Sequence, residues 1–408
     1  MKPIPSKKLS QLPPYLFVRL HQLRLQAEGS GLSIIDLGQG SPDLPSPDHV
    51  VKALQEAVGQ NWTHRYPQTQ GLPELRRAIA AWYRRRFDVT LDADRQVLPL
   101  VGSKEGLAHL FMALLEPGQS VLVPNPCYPV HYNGVILAGG RPVLMPLLEE
   151  NEFKPDLRKI PAAAARQAKV MLLNYPNNPT GAVLEDNSLL EEALAFSRKY
   201  GCLIAYDNAY SELVFDGYQA PSILQVPGAM EHAVEFHSLS KSYSMAGWRI
   251  GFVVGNAEAI SQLAKFKGFL DYGIPNFIQQ AGINALSGPQ DTIAAACRTY
   301  RSRRDALVEA LSKIGWTIAP PRAAMYLWGR LPERARSLGS LAFAERLILE
   351  HGVVIAPGVG FGPHGEGFMR FSLVAPEEKL REAARRIGRF LESLPERSPS
   401  RRKPAKVG

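Results

Sequence analysis

Short apolar runs alternate with amphipathic stretches from residue 48 to about residue 288. The runs are β-branched or aliphatic and end in turn residues, while the stretches between them repeat apolar positions at helical spacing. This alternation is typical of an α/β architecture, in which helices cover a mostly parallel central sheet. The predicted strands are 97–101, 120–123, 170–174, 203–207, 233–237 and 249–254.

The pattern changes after residue 288. Arg-rich helical stretches such as 294–314 and 380–394 flank short apolar strands, which predicts a smaller α+β unit. Near the N-terminus a helix at 14–27 precedes a Gly/Pro-rich loop, so we expect an arm that completes this smaller unit. The predicted organisation is an arm and part of the small domain at 1–47, a large domain at 48–288, a small C-terminal domain at 289–395 and a tail at 396–408.

The composition is that of an ordinary globular chain, with 408 residues, 45% hydrophobic and 21% charged. No apolar run approaches the roughly 18 residues of a membrane span, and the N-terminus lacks the apolar stretch of a signal peptide. We therefore expect a cytoplasmic protein without a membrane partner. Cys127, Cys202 and Cys297 are far apart and the nine histidines lack metal-ligand spacing, so neither disulfides nor a metal site is predicted.

The formal net charge is +9, which raises the question of a nucleic-acid partner. Much of the excess lies in the last residues, which combine Lys and Arg with little apolar content. This composition predicts a disordered, solubilising tail rather than a nucleic-acid-binding arm, and we expect no nucleic-acid partner.

One segment carries the strongest chemical signal. A predicted strand ends in Ser238-Leu239-Ser240-Lys241, and Arg249 follows on the same segment. A lysine that forms a Schiff base needs a rigid position and nearby cations that help to keep it deprotonated, and hydroxyls with a guanidinium suit a phosphate. A lysine after a strand is also compatible with a solvated loop, so this segment needs support from others.

Two further predicted strands end in polar clusters that supply this support. Asp207 follows one strand, with Tyr210 close behind it, and Asn178 follows another. A buried carboxylate can hold a heteroaromatic nitrogen protonated, and the other two side chains can hydrogen-bond a phenolic oxygen. Taken singly, Asp207 could instead cap a helix and Asn178 could form an Asn-Pro turn.

These motifs, in this order, resemble those of the class I/II aminotransferases, the fold-type I enzymes that use pyridoxal 5'-phosphate. The resemblance extends from the Pro13-Pro14-Tyr15 arm to Met369-Arg370-Phe371-Ser372. It implies a fold-type I transferase with a large domain and a smaller α+β domain. The implied cofactor is pyridoxal 5'-phosphate, and the implied substrates are an amino acid and a 2-oxo acid.

The resemblance also implies roles for single residues. Lys241 is expected to be the Schiff-base lysine and the proton-transferring base, and Asp207 the partner of the pyridine nitrogen, with Tyr210 as a third catalytic residue. Asn178 and Tyr210 are expected to bind the cofactor's phenolic oxygen. The phosphate is expected to be bound by Ser103 and Lys104, which open a helix, and by Ser238, Ser240 and Arg249, while Tyr128 stacks on the ring.

Other residues are implied for the substrate and for a second subunit. Arg370 matches the family's carboxylate clamp, because a guanidinium binds a carboxylate through two parallel hydrogen bonds. Gly40 allows close backbone approach, and Tyr15 and Asn178 also match substrate-binding positions. Tyr66 matches a tyrosine that reaches the phosphate in the neighbouring subunit, so a homodimer with shared active sites is expected.

Two other motifs are discounted. Residues 360–365 spell Gly-x-Gly-x-x-Gly but precede a predicted strand instead of opening a helix, so a dinucleotide site is not predicted. Asn61-Trp62-Thr63 spells a glycosylation acceptor in a chain without a predicted secretory signal.

The substrate pair is less constrained than the cofactor. Segments such as 269–273 and 324–328 resemble bacterial alanine aminotransferases, so glutamate with pyruvate is the first hypothesis. The alternative is an LL-diaminopimelate aminotransferase, which Asn276 matches better, although this Asn could also cap a helix. Lys104, or an arginine on the facing subunit, could bind a side-chain carboxylate. Aspartate- or methionine-type aminotransferases, a pyridoxal-phosphate lyase and a cofactor-sensing regulator are further alternatives.

Overall fold

A seven-stranded sheet forms the centre of the chain in the computed structural model, which describes residues 4–13 and 16–395. Two predictions, the substrate-binding role of Tyr15 and the disordered tail at 396–408, lie outside the described residues. The strands are β1 (Ile35–Asp36), β2 (Val97–Leu100), β3 (Ser120–Asn125), β4 (Arg141–Pro146), β5 (Ala168–Asn174), β6 (Leu203–Asp207), β7 (Ala233–Ser238), β8 (Gly251–Gly255), β9 (Tyr326–Arg330), β10 (Val353–Val354), β11 (Ala356–Pro357) and β12 (Phe368–Ser372).

Fourteen α-helices of the described residues surround these strands. They are α1 (Lys7–Ser10), α2 (Leu16–Gly29), α3 (Asp48–Val58), α4 (Pro73–Phe87), α5 (Ser103–Leu114), α6 (Pro129–Leu137), α7 (Ala162–Gln167), α8 (Ser188–Tyr200), α9 (Leu239–Ser242), α10 (Ala257–Gly268), α11 (Asn276–Ser287), α12 (Asp291–Lys313), α13 (Gly339–His351) and α14 (Glu377–Ser393).

The central sheet has the strand order β2-β8-β7-β6-β5-β3-β4. All neighbours from β7 to β4 are parallel, and β8 alone runs antiparallel to its two neighbours. The carboxyl ends of β2, β3, β5, β6 and β7 therefore meet at one edge of the sheet. In open α/β sheets this edge is where ligands bind. The predicted α/β class with a mostly parallel sheet is confirmed.

Both faces of the sheet are covered, which explains why its strands read as continuous apolar runs. In β5, Met171 and Leu173 pack into a core with residues of α4, α8 and α11, while Val170 and Leu172 pack into a second core with residues of α5, α6 and α10. Every residue of β3 and β7 is buried. The sheet is thus a rigid platform for the side chains at its edge.

A smaller antiparallel sheet, β11-β12-β9, lies in the C-terminal part, and the short β1 pairs in parallel with β10. Helix α14 buries Leu380, Ala383 and Ile387 at helical spacing. Leu20 and Leu37 from the N-terminal segment belong to the same core as these C-terminal residues. The exact domain boundaries remain a prediction.

Two sequence-based expectations differ from the structure. The edge strand β4 was not predicted, because Pro142 and Pro146 disfavour a strand and are tolerated only where a strand needs few ladder bonds. Arg249 lies outside β8, in the left-handed conformation with φ of 55°, so it belongs to the preceding loop. This loop position places the Arg249 guanidinium beside Gly102, the residue before α5.

The three cysteines lie in buried or partly buried positions. Burial raises the pKa of Cys127 to about 12 and that of Cys202 to about 11, and it also raises the pKa of Cys297. All three cysteines are free. In the part of the chain that the structure describes, no helix combines the length and the apolar character that crossing a bilayer requires.

One ion pair joins the N-terminal loop to the C-terminal part and generates a stability prediction. The two terminal nitrogens of Arg303 donate to the two carboxylate oxygens of Asp43 at 2.7 and 2.8 Å, and the arginine is buried. We expect Asp43→Ala to lower the free energy of unfolding by about 1.5–3 kcal/mol, because a buried guanidinium loses charge-assisted bonds.

The matched control is Lys313→Ala, which removes an exposed pairing with Glu309. Exposed pairs contribute about 0.2–1 kcal/mol. Urea unfolding of both variants measures the difference, and an equal loss in the two variants would contradict the role assigned to the Asp43 pair.

Candidate active site

A cavity of about 510 Å³ opens at the carboxyl edge of the central sheet. It is lined by side chains from the large sheet, from the N-terminal loop and from β12, so three separate parts of the chain converge on it. The predicted site residues that line it are Gly40, Ser103, Lys104, Tyr128, Asn178, Asp207, Tyr210, Ser238, Ser240, Lys241, Arg249 and Arg370.

Lys241 lies in the one-turn helix α9 directly after β7. The Ser238 hydroxyl caps this turn by accepting a hydrogen bond from the Ser240 amide at 3.3 Å. The Lys241 amine donates to the backbone oxygen of Gly40 at 2.7 Å. Desolvation lowers the pKa of Lys241; Tyr326 opposes this, and Arg370 and Arg249 lower it further. The lysine is therefore inside the site, not in a solvated loop, and its neutral form is favoured.

Asp207 ends β6 and is buried. Its Oδ2 atom lies 2.9 Å from Nε2 of His131, whereas its buried Oδ1 has no hydrogen-bond partner among the described residues. A desolvated carboxylate oxygen that faces a cavity calls for an N–H donor from a ligand. Because turns follow β6, Asp207 does not cap a helix. A protonated pyridine nitrogen has the chemistry that this oxygen needs.

His131 was missed by the sequence analysis, which considered the histidines only as possible metal ligands. It lies in α6 and is fully buried, and its ring meets the Tyr128 ring at 5.8 Å and nearly a right angle. No local motif marks this histidine, because its partner is distant in sequence. The one clue in the sequence to a site role for His131 is that it follows Tyr128 by one helical turn, at the start of a helix.

The turn between β2 and α5 forms an anion-binding arrangement. Gly102 has φ of 82°, and a Cβ atom there would lie 2.5 Å from a terminal nitrogen of Arg249. Lys104 follows in the first turn of α5, and burial, then the charge of Arg249, lowers its pKa. A helix N-terminus beside two cations and the hydroxyls of Ser238 and Ser240 has the chemistry to bind a phosphate dianion.

Arg370 projects from β12 and is buried. Its terminal nitrogens donate to Asn178 Oδ1 at 2.9 Å and to the Gly38 backbone oxygen at 2.7 Å. The guanidinium carbon lies 4.2 Å from the ring centre of Tyr326 and 4.7 Å from that of Phe361. The planar group is thus held between aromatic faces at the cavity, an arrangement that suits a carboxylate ligand.

Tyr326 is a second residue that sequence reasoning did not assign to the site. Its hydroxyl lies 2.8 Å from the hydroxyl of Tyr210, and burial raises the pKa of Tyr210 well above its usual value. A Cβ atom at Gly40 would lie 2.1 Å from the Tyr326 hydroxyl, so only glycine fits there. The N-terminal loop therefore packs directly against Tyr326 at the cavity.

Tyr66 and Asn276 do not line the cavity. Tyr66 is 87% exposed and its ring centre lies 5.5 Å from that of Tyr272. Asn276 is the first residue of α11, whose cap is Pro275, and its side-chain nitrogen donates to the backbone oxygen of Arg65 at 3.0 Å. Asn276 is therefore not the cap, and it fixes the segment that carries Tyr66.

The Gly-x-Gly-x-x-Gly motif does not have the geometry of a dinucleotide site. Residues 360–365 form short 3-10 turns that lead into β12, so the glycine pattern does not open a helix. Among the described residues, one group of potential metal ligands lies close together: Glu105, His109 and Asp271. The Lys267 ammonium lies within hydrogen-bonding distance of both carboxylates, so the chain supplies its own cation there.

The comparisons with known proteins agree with this geometry. The sequence model described as aminotransferase class I and II matches residues 33–387. The chain therefore belongs to the class I and II aminotransferase family. It is a fold-type I transferase that uses pyridoxal 5'-phosphate, and this membership favours an aminotransferase over the lyase and regulator alternatives.

Particular relatives are similar over almost the whole chain. An LL-diaminopimelate aminotransferase from Desulforudis audaxviator is 47% identical over 384 residues, which are 94% of this chain and 97% of the relative. A probable N-succinyldiaminopimelate aminotransferase from Thermus thermophilus has a TM-score of 0.86 at 44% identity, covering 92% of this chain and 99% of its own. Substrate-bound BacF from Bacillus subtilis has a TM-score of 0.91 at 36% identity, and the match covers 96% of this chain and 98% of BacF.

The contact between Gly40 and Tyr326 generates a prediction. We expect Gly40→Ala to reduce kcat/KM for every amino donor by roughly 5- to 100-fold, since overpacking costs about 1–3 kcal/mol and displaces the loop that contacts Lys241 and Arg370. Gly29→Ala is the control, because a Cβ atom there meets nothing within 4 Å. Steady-state kinetics on both variants tests this, and unchanged kcat/KM in Gly40→Ala would refute the close contact.

Proposed function

We propose that this protein moves an amino group between LL-diaminopimelate and a 2-oxo acid such as 2-oxoglutarate. The observation that carries the proposal is the agreement among relatives: LL-diaminopimelate aminotransferases of several bacteria are 43% to 47% identical over 94% to 95% of this chain. This favours the second of the two substrate hypotheses over alanine with pyruvate.

The residues of the cavity have the chemistry to hold the cofactor. In the proposed arrangement, Asp207 accepts the pyridine N–H through Oδ1, and Asn178 and Tyr210 contact the phenolic oxygen. Tyr128 covers the ring face. The phosphate is assigned to Ser103, Lys104, Ser238, Ser240 and Arg249. When bound, pyridoxal 5'-phosphate is an electron sink that stabilises negative charge at the substrate α-carbon.

Lys241 is the proposed base. Its lowered pKa favours the neutral amine, the form that can accept the proton from the substrate α-carbon and return it one carbon away. The hydrogen bond from this amine to Gly40 gives it a defined starting position.

Arg370 is the proposed clamp for the α-carboxylate. The bonds it makes to Asn178 and Gly38 orient the guanidinium, and a substrate carboxylate can exchange for or add to them. LL-Diaminopimelate has a second ammonium and a second carboxylate at its far end. Because Lys104 is assigned to the phosphate, we propose that an arginine of a second copy pairs with that carboxylate.

We also propose a cytoplasmic homodimer whose copies complete each other's sites. Tyr66 is strongly exposed, and it matches a family tyrosine that contacts the phosphate in the neighbouring subunit. The Asn276 side chain holds the backbone beside it. An exposed tyrosine with this neighbourhood is suited to contact a second subunit.

The second candidate function is an alanine aminotransferase, which moves the amino group between glutamate and pyruvate. The segment that contains Tyr326 resembles that of bacterial alanine aminotransferases, and Tyr326 contacts both Tyr210 and Arg370. The support is weaker because these contacts orient the common part of any amino acid and do not discriminate among side chains.

A half-reaction screen tests the proposal. Purified enzyme with bound cofactor is mixed with alanine, glutamate, aspartate, methionine or LL-diaminopimelate, and the visible absorbance is followed as the cofactor becomes aminated. We expect fast conversion with LL-diaminopimelate and with glutamate. Fast conversion with alanine and none with LL-diaminopimelate would instead support the alanine reaction.

A further inference from the structure

Lys267 is a fully buried lysine outside the cavity, with 0% of its surface exposed. It lies in α10 and faces α5, and its ammonium lies 2.8 Å from Glu105 Oε1 and 3.0 Å from Asp271 Oδ2. His109 Nδ1 lies 2.5 Å from the same Glu105 oxygen. A buried charge is retained at high desolvation cost only where it is fully paired, so this group has a defined geometry.

The other oxygen of Glu105 reaches the turn that precedes α5. Glu105 Oε2 accepts a hydrogen bond from the Val101 amide at 3.0 Å, and Val101 is followed by Gly102, Ser103 and Lys104. The backbone oxygen of Val101 accepts from Arg249 at 3.5 Å. The carboxylate therefore fixes the 101–104 turn from behind, on the side away from the cavity, while Lys267 fixes the carboxylate.

Asp271 connects the same ammonium to a second segment. Asp271 Oδ1 accepts from the Gly273 amide at 2.8 Å, in a turn where Tyr272 and Gly273 have φ of 55° and 98°. This turn leads directly to Asn276 at the start of α11. One ammonium thus holds both the 101–104 turn and the segment that ends at Asn276.

We propose that Lys267 is a positioning residue for cofactor binding: through Glu105 it holds the 101–104 turn in the conformation that binds the phosphate group. The proposal rests on the assignment of the phosphate to this turn under the proposed function. Without the ammonium, the partly buried Glu105 carboxylate loses the Lys267 cation and keeps only His109 beside the same oxygen, so it rearranges and releases the Val101 amide.

The test compares pyridoxal 5'-phosphate with pyridoxal, which has the same ring and aldehyde but no phosphate. Apoenzyme is titrated with each compound and binding is followed by visible absorbance. We expect Lys267→Met to weaken binding of pyridoxal 5'-phosphate by about tenfold or more, as for a lost charge-assisted bond, and to leave pyridoxal binding unchanged. The ³¹P resonance of the bound cofactor is expected to shift as well.

Lys265→Met is the matched control, because Lys265 lies in the same helix and is exposed. It should bind both compounds as the wild type does. If Lys267→Met does not fold, Glu105→Gln takes its place, since it keeps the side-chain size and removes the charge, and the same selective loss is expected.

Equal weakening of both compounds would overturn the proposal, because Lys267 would then serve general stability only. Unchanged binding of both would also overturn it. A wild-type protein that gains no affinity from the phosphate group would overturn the phosphate assignment itself, and that result is distinguishable because it does not depend on Lys267.

Discussion

The desolvation of the Lys241 amine is the constraint on which the rest of the site depends. An amine of ordinary pKa is protonated at neutral pH and can neither bond covalently to an aldehyde nor accept a proton. The fold favours the neutral amine by placing the lysine at the end of a buried strand, in a cavity that also holds Arg249 and Arg370. In the proposed arrangement the same cations are also anion ligands, so activating the lysine and binding the substrate would use one charge distribution.

This arrangement requires parts of the chain that are far apart in sequence. The central sheet brings Asp207 and Lys241 to one edge, whereas Arg370 comes from the smaller sheet and Gly40 from the N-terminal loop. Gly38 and Gly40 connect the small sheet to the central sheet, because their carbonyl groups accept hydrogen bonds from Arg370 and Lys241, respectively. The loop thus connects Arg370, the proposed carboxylate clamp, to Lys241, the proposed base, and Asp43 binds the same loop to Arg303 of α12.

The sequence was sufficient to predict residues that terminate strands. Lys241, Asp207 and Asn178 follow apolar runs, and parallel strands bring such ends together, so their convergence could be expected. His131 and Tyr326 could not be found in this way, because each acts through a partner more than seventy positions distant. The edge strand β4 was missed because its prolines contradict strand propensity, and its formation depends on the neighbouring β3.

The central claim is that Lys241 is the amine that carries pyridoxal 5'-phosphate. The most direct test is to treat the cofactor-loaded enzyme with borohydride, which reduces the bond between lysine and cofactor to a stable one. The modified peptide is then mapped by mass spectrometry. We expect one phosphopyridoxyl group on Lys241. Modification of Lys104 in place of Lys241, or of no lysine at all, would contradict the account.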